Sequence, residues 1–97
     1  MTYVVAANWR AKEGEEAEVR RVLATVAPLV RAEPACRAFI THASTEDPRA
    51  FFIYEQYDDE AGFQAHLATE HFERLVLGEA VPRLETRTRS LYVTMEW

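Results

Sequence analysis

The sequence predicts an α+β fold of β-α-β-β-α-β order, the split βαβ arrangement of ferredoxin-like folds: a four-stranded antiparallel sheet with two helices on one face. Three observations carry this. Period-2 and period-3.6 apolar patterns follow one another along the chain in that order. Two of the strand patterns are joined by a short polar hairpin loop. The chain has 97 residues, which fits one domain over residues 1–97, because domains usually run to about 100–150 residues.

Residues 3–11 read as the first strand, with Tyr3, Val5, Ala7 and Trp9 on one face and Val4, Ala6 and Asn8 on the other. Lys12-Glu13-Gly14 breaks it. A helix over residues 15–33 follows, since Val19, Val22, Leu23, Val26 and Val30 form a single apolar stripe. Acidic residues crowd its start and Arg31 lies near its end, which suits the helix dipole. Pro28 is expected to kink it and Pro34 to stop it. Strands over residues 37–44 and 50–58 flank the loop Thr45-Glu46-Asp47-Pro48-Arg49. Asp58 or Asp59 can cap a second helix carrying Phe63, His66 and Leu67 on one face. Thr69 caps a continuation with Phe72, Leu75 and Val76 as its stripe, Pro82 lies in an irregular return, and residues 89–95 read as the last strand. Two helices cover only one face of such a sheet, yet the strands are apolar on both. A second copy is the simplest cover, because C2 dimers are the commonest oligomer; a homodimer with sheets packed face to face is expected.

Composition narrows the function. The net charge is −5 and the pI near 5.2, against the basic surface that nucleic acid requires. No stretch approaches the roughly 20 apolar residues of a membrane span, and the first ten residues lack the pattern of a secretory signal. One cysteine, Cys36, allows no intramolecular disulfide. A cytoplasmic protein is expected. No His-Glu-x-x-His, Cys-x-x-Cys or facial-triad spacing occurs, and the three glycines are scattered, so neither a metal nor a phosphate loop is expected. His66 and His71 are five residues apart and would not share the face of a continuous helix.

Three polar residues interrupt apolar patterns. His66, between Phe63 and Leu67, is either a boundary histidine bonded to backbone or a proton acceptor in an apolar cavity. Asn8 is either internally paired or aimed at a ligand. Glu55, amid aromatic residues, either pairs with a strand arginine or takes part in chemistry.

The stretch Phe52-Ile53-Tyr54-Glu55-Gln56-Tyr57-Asp58-Asp59-Glu60-Ala61, then Ala65-His66 and Thr69-Glu70-His71-Phe72, resembles the signature of the antibiotic biosynthesis monooxygenase (ABM) domain family. Glu33-Pro34-Ala35-Cys36 is similar to that family's Glu-Pro-Gly-Cys turn. The resemblance implies a dimeric α+β barrel and, in several members, oxygenation of a quinol or anthrone by O2 without cofactor. It implies catalytic roles for Asn8, Glu55 and His66, and a substrate wall of Thr41, Ile53, Tyr57, Phe63, Phe72 and Val76. Ile53 and Tyr57 stand where polyketide-anthrone oxygenases place an Asn and a Trp, and Val76 where haem-degrading relatives place a ligating His. The reading that follows is a cofactor-independent monooxygenase acting on a quinol or polyphenol. The alternatives are an isomerase of a small phosphorylated dione, which the stretch from Phe51 to Phe72 also resembles, and a non-catalytic module that binds an apolar ligand.

Overall fold

Side-chain alternation in the first strand decides which face of the sheet becomes the interior. In β1 (Tyr3–Ala11), Val5, Ala7, Trp9 and Ala11 are buried, while Val4, Ala6 and Arg10 are half-buried and Asn8 is exposed. In β3 (Ala50–Tyr57), Phe51, Ile53, Glu55 and Tyr57 are buried in the same way. Both strands therefore send every second residue toward the helices, as a period of two requires. The structure, a computed structural model, describes residues 1–95.

The remaining elements are α1 (Glu16–Arg31), β2 (Cys36–Ala43), α2 (Glu60–Leu67), a π-helical segment (Phe72–Ala80), a 3-10 turn (Val81–Arg83) and β4 (Leu84–Val93). The strand order is β2-β3-β1-β4, every neighbouring pair antiparallel. This is the β-α-β-β-α-β arrangement expected from the sequence. Val5 lies opposite Glu55 and Leu91, and Ala7 opposite Ile53 and Arg89. Among the described residues no helix is long and apolar enough to cross a membrane.

Helix α1 buries Val19, Val22, Leu23, Val26, Ala27 and Val30 against the sheet, each worth about 1–3 kcal/mol of transfer free energy for the larger side chains. It runs through Pro28 as one element, and Ala32 N–H donates to the Pro28 carbonyl at 3.2 Å. Arg31, in its last turn, donates to the Phe39 carbonyl at 2.9 Å and so ties the helix to β2. Asp59 caps α2 by accepting from Gly62 N–H at 2.8 Å. Thr69 accepts from Phe72 N–H at 3.2 Å, capping the helical continuation that starts at Glu70 and runs into the π-helical segment.

The last strand departs from expectation. It begins at Leu84, five residues before the expected start, and ends at Val93. Thr86, Arg87, Thr88 and Arg89 are exposed on an edge strand. Their polar character carries no apolar alternation from which a strand could be read.

Candidate functional site

The site begins with β3, whose inward residues Ile53, Glu55 and Tyr57 place one carboxyl in an otherwise apolar row. The Tyr57 hydroxyl donates to Glu55 Oε1 at 2.7 Å. Above them α2 turns Phe63 and His66 toward the sheet, one helical turn apart. The His66 ring lies 5.2 Å from the Tyr57 ring and 5.1 Å from that of Phe72, and only 3% of the residue is exposed.

Two carboxyls flank the His66 imidazole. Nδ1 lies 3.1 and 3.0 Å from the two oxygens of Glu33, in the turn after α1. A carboxylate only accepts, so Nδ1 carries the proton and donates to it. Nε2 is left as a lone pair, 3.7 Å from Glu55 Oε1. Glu33 Oε2 also accepts from His71 Nε2 at 2.6 Å. The result is a row Tyr57–Glu55–His66–Glu33–His71, buried at its first three members and half-buried at Glu33 and His71, in which Glu33 fixes both the tautomer and the plane of His66.

Burial sets the protonation states. Removal from water raises the Glu55 carboxyl to about 7, against the opposing hydrogen bond from Tyr57 and the field of Arg89. Burial lowers His66 below the usual imidazole value, although Glu33 pulls the other way. His66 is thus neutral near pH 7 while Glu55 is poised between its two forms. Burial, with the fields of Glu33 and Glu55, pushes the Cys36 thiol up to about 11, so it is not held as a nucleophilic thiolate.

Glu55 and His66 open onto a small cavity between sheet and helices. Ile53, Phe63, Phe72 and Val76 line it, as does Glu55, the one acid among the described residues of its wall. Tyr57, fully buried, lies behind this wall and reaches the site through its hydroxyl. Two expected residues are elsewhere. Asn8 is exposed on the opposite face of the sheet, beside Phe52 and Thr88, because Ala7 and Trp9 take the cavity side of β1. Thr41 shares the inner face with Ile53 but lies in a separate depression with Arg20, Leu23 and Phe51. Trp9, Phe39, Arg87 and Arg89 also line the cavity, and with Glu33 they were not singled out from the sequence. The period-2 reading of β1 groups Trp9 with Val5 and Ala7 without showing that this face is the covered one, and the polar start of β4 carries no alternation to point to the arginines. Glu33 meets His66 across 33 positions, which no local pattern reveals. His66 bonds to Glu33 rather than to backbone, and Glu55 to Tyr57 rather than to a strand arginine.

The same folding brings together a cluster of metal-ligating type that sequence spacing does not announce. One ligand atom each from Glu33, His66 and His71 lies within 4.8 Å of the others. In this structure those atoms are engaged in hydrogen bonds to one another.

Residues 2–76 match the family model described as antibiotic biosynthesis monooxygenase. Among solved structures, a protein from Pseudomonas aeruginosa is 27% identical, with a TM-score of 0.89 over 98% of this chain and 95% of its own. An antibiotic biosynthesis monooxygenase is 28% identical, also with a TM-score of 0.89, over 99% of this chain and 100% of its own. A protein from Shewanella oneidensis is 25% identical, with a TM-score of 0.87 over 94% and 88% of the two chains. No curated protein matches. On the family match and the shared fold, the chain belongs to the antibiotic biosynthesis monooxygenase family.

Proposed function

We propose that this chain is a cofactor-independent monooxygenase that oxidises a quinol or polyphenolic aromatic with O2, working as a cytoplasmic homodimer. The observation that carries the reading is the Glu55–His66–Glu33 row at the wall of an aromatic-lined cavity. Ile53, Phe63 and Phe72 give the cavity an apolar lining suited to a planar ring. A ring hydroxyl pointing at Glu55 and the His66 Nε2 lone pair can give up its proton there. The resulting phenolate is electron-rich enough to reduce O2 itself. One oxygen atom enters the ring and the other leaves as water, so a hydroquinone plus O2 yields a hydroxyquinone plus water, with all four electrons from the substrate. Glu33 is a positioning residue, because it acts through His66.

Oxygen uptake by metal-stripped protein tests this, across hydroquinones, naphthohydroquinones and anthrones, each against autoxidation and against His66→Ala. The expected result is uptake above autoxidation with at least one ring class, falling about 10²–10⁴-fold in the variant, the usual share of general acid–base catalysis. Uptake at the autoxidation rate throughout would overturn the oxygenase reading. Solvent deuterium entering a small dione in its place would assign the same proton-removing pair to isomerisation.

A further inference from the structure

The helices pack chiefly on β2 and β3, which leaves the β4 edge of the same face as the cavity mouth. There the strand's alternation sets Arg87 opposite Trp9 and Arg89 opposite Ala7, both on the cavity side. We propose that this mouth is an anion site, in which Arg87 and Arg89 together hold a carboxylate or phosphate group carried by the aromatic substrate.

Three observations support the assignment. The first is missing partners. In a chain with 16 acidic and 11 basic residues, Arg10, Arg21, Arg37, Arg74 and Arg83 each meet a carboxylate within 3.1 Å. Among the described residues, Arg87 and Arg89 form no such pair. Arg31, which is bonded to the Phe39 carbonyl, and Arg20, which lies over the Phe51 ring, also lack one, but Arg87 and Arg89 are the two that line the cavity.

The second is placement. The Arg89 guanidinium lies over the Phe63 ring, 5.1 Å from its centroid, on the ring that also lines the cavity. This cation–π contact holds the guanidinium at the cavity, where its N–H groups can meet an anion. The same two arginines, with Thr88, line an open depression outside the mouth. A ligand ring in the cavity would therefore carry its anionic group between them.

The third is electrostatic. Two like charges on one face of one strand repel, and an anion between them removes that cost. Burial, and then Arg89, lower the Arg87 value, and the nearby Glu55 acts in the opposite sense. A carboxylate or phosphate accepts the paired N–H bonds that guanidinium forks supply.

The inference rests on the cavity being the substrate site, and its test is binding rather than turnover, so the two can fail separately. Calorimetric titration at pH 7 would compare 2-naphthoate, 2-naphthyl phosphate, neutral 2-naphthol and inorganic phosphate on the whole protein. One of the two aromatic anions is expected to bind at least about tenfold more tightly than 2-naphthol, in line with hydrogen bonds to charged groups. The tighter one identifies the group. Arg87→Gln and Arg89→Gln are each expected to lose most of that advantage, with a smaller effect on 2-naphthol binding. Arg89→Lys, which keeps the charge and loses the fork, should fall between, and it serves if a glutamine variant does not fold. Equal binding of 2-naphthol and both anions, or glutamine variants that bind as the wild type does, would overturn the proposal. Inorganic phosphate bound as tightly as 2-naphthyl phosphate would overturn it too, by assigning the arginines to a free ion. Anion binding that depends on the arginines, without oxygen uptake on any quinol, would sink the oxygenase reading alone.

Discussion

Glu55 is a carboxyl whose surroundings favour its protonated form, and that has a consequence for stability. Its folded value of about 7 lies above the ordinary carboxyl range, so the folded state holds the proton more tightly than the unfolded chain does. The stability it contributes is complete below that range and is lost as pH rises through about 7. His66, lowered by burial, acts in the opposite sense and costs stability as pH falls below the usual imidazole value. Comparison of wild type with Glu55→Gln isolates the carboxyl. Between pH 5 and pH 8 the wild type should lose roughly 1–3 kcal/mol relative to the variant, the scale of a raised buried carboxyl, read from urea unfolding. Parallel pH profiles would contradict the raised value. Glu55 and His66 were legible in the sequence because each interrupts an apolar pattern with an ionisable group. Asn8 gives the same kind of signal but lies on the face of the sheet away from the helices. Alternation does set it apart from Trp9, but which face the helices cover is decided by packing that the strand alone does not contain.

At the scale of elements, the site depends on how closely α2 approaches the turn after α1. A Cβ placed on Gly62 would lie 2.6 Å from the Ala35 Cβ, closer than two carbon atoms can pack. The absence of a side chain at Gly62 lets α2 settle there, with Phe63 and His66 over the sheet. Gly62→Ala is therefore expected to destabilise by about 1–3 kcal/mol, the usual cost of overpacking. Gly78→Ala, in the π-helical segment, meets only the Glu73 carbonyl at 3.4 Å and is expected to be neutral or slightly stabilising. Equal effects in the two variants would contradict the close-approach account. The π-helical segment itself, which brings Phe72 and Val76 to the cavity, was foreseen as a helical stripe but not as a wider helix. Stripe spacing at Phe72, Leu75 and Val76 is shared by the α and π forms over one turn. The first part of β4 was missed for another reason: an edge strand needs no apolar face, and Arg87 and Arg89 sit where ligand chemistry rather than the core sets the residue type.

Taken whole, the molecule is a sheet with its helices on one side, and the element order that gives this arrangement was readable from periodicity alone. The other side carries half-buried Val4, Ala6, Phe52 and Tyr54, together with exposed Ile40 and Tyr92. That apolar face fits the proposed homodimer. Sedimentation at micromolar concentration should give twice the chain mass of 11.2 kDa, and Tyr54→Glu should shift it toward the monomer; a wild-type monomer at that concentration would contradict face-to-face packing. The central claim, that the Glu55–His66 pair removes a proton from a substrate that then reduces O2, joins the fold to the chemistry. The most direct measurement is the initial rate of oxygen uptake on the best naphthohydroquinone from pH 5.5 to 8.5, for wild type and Glu55→Gln. The account predicts a wild-type rate above autoxidation that rises to a plateau with a midpoint near the Glu55 value of about 7, and a variant at least about 10²-fold slower across the range. A variant that matched the wild type in rate and pH profile would contradict it.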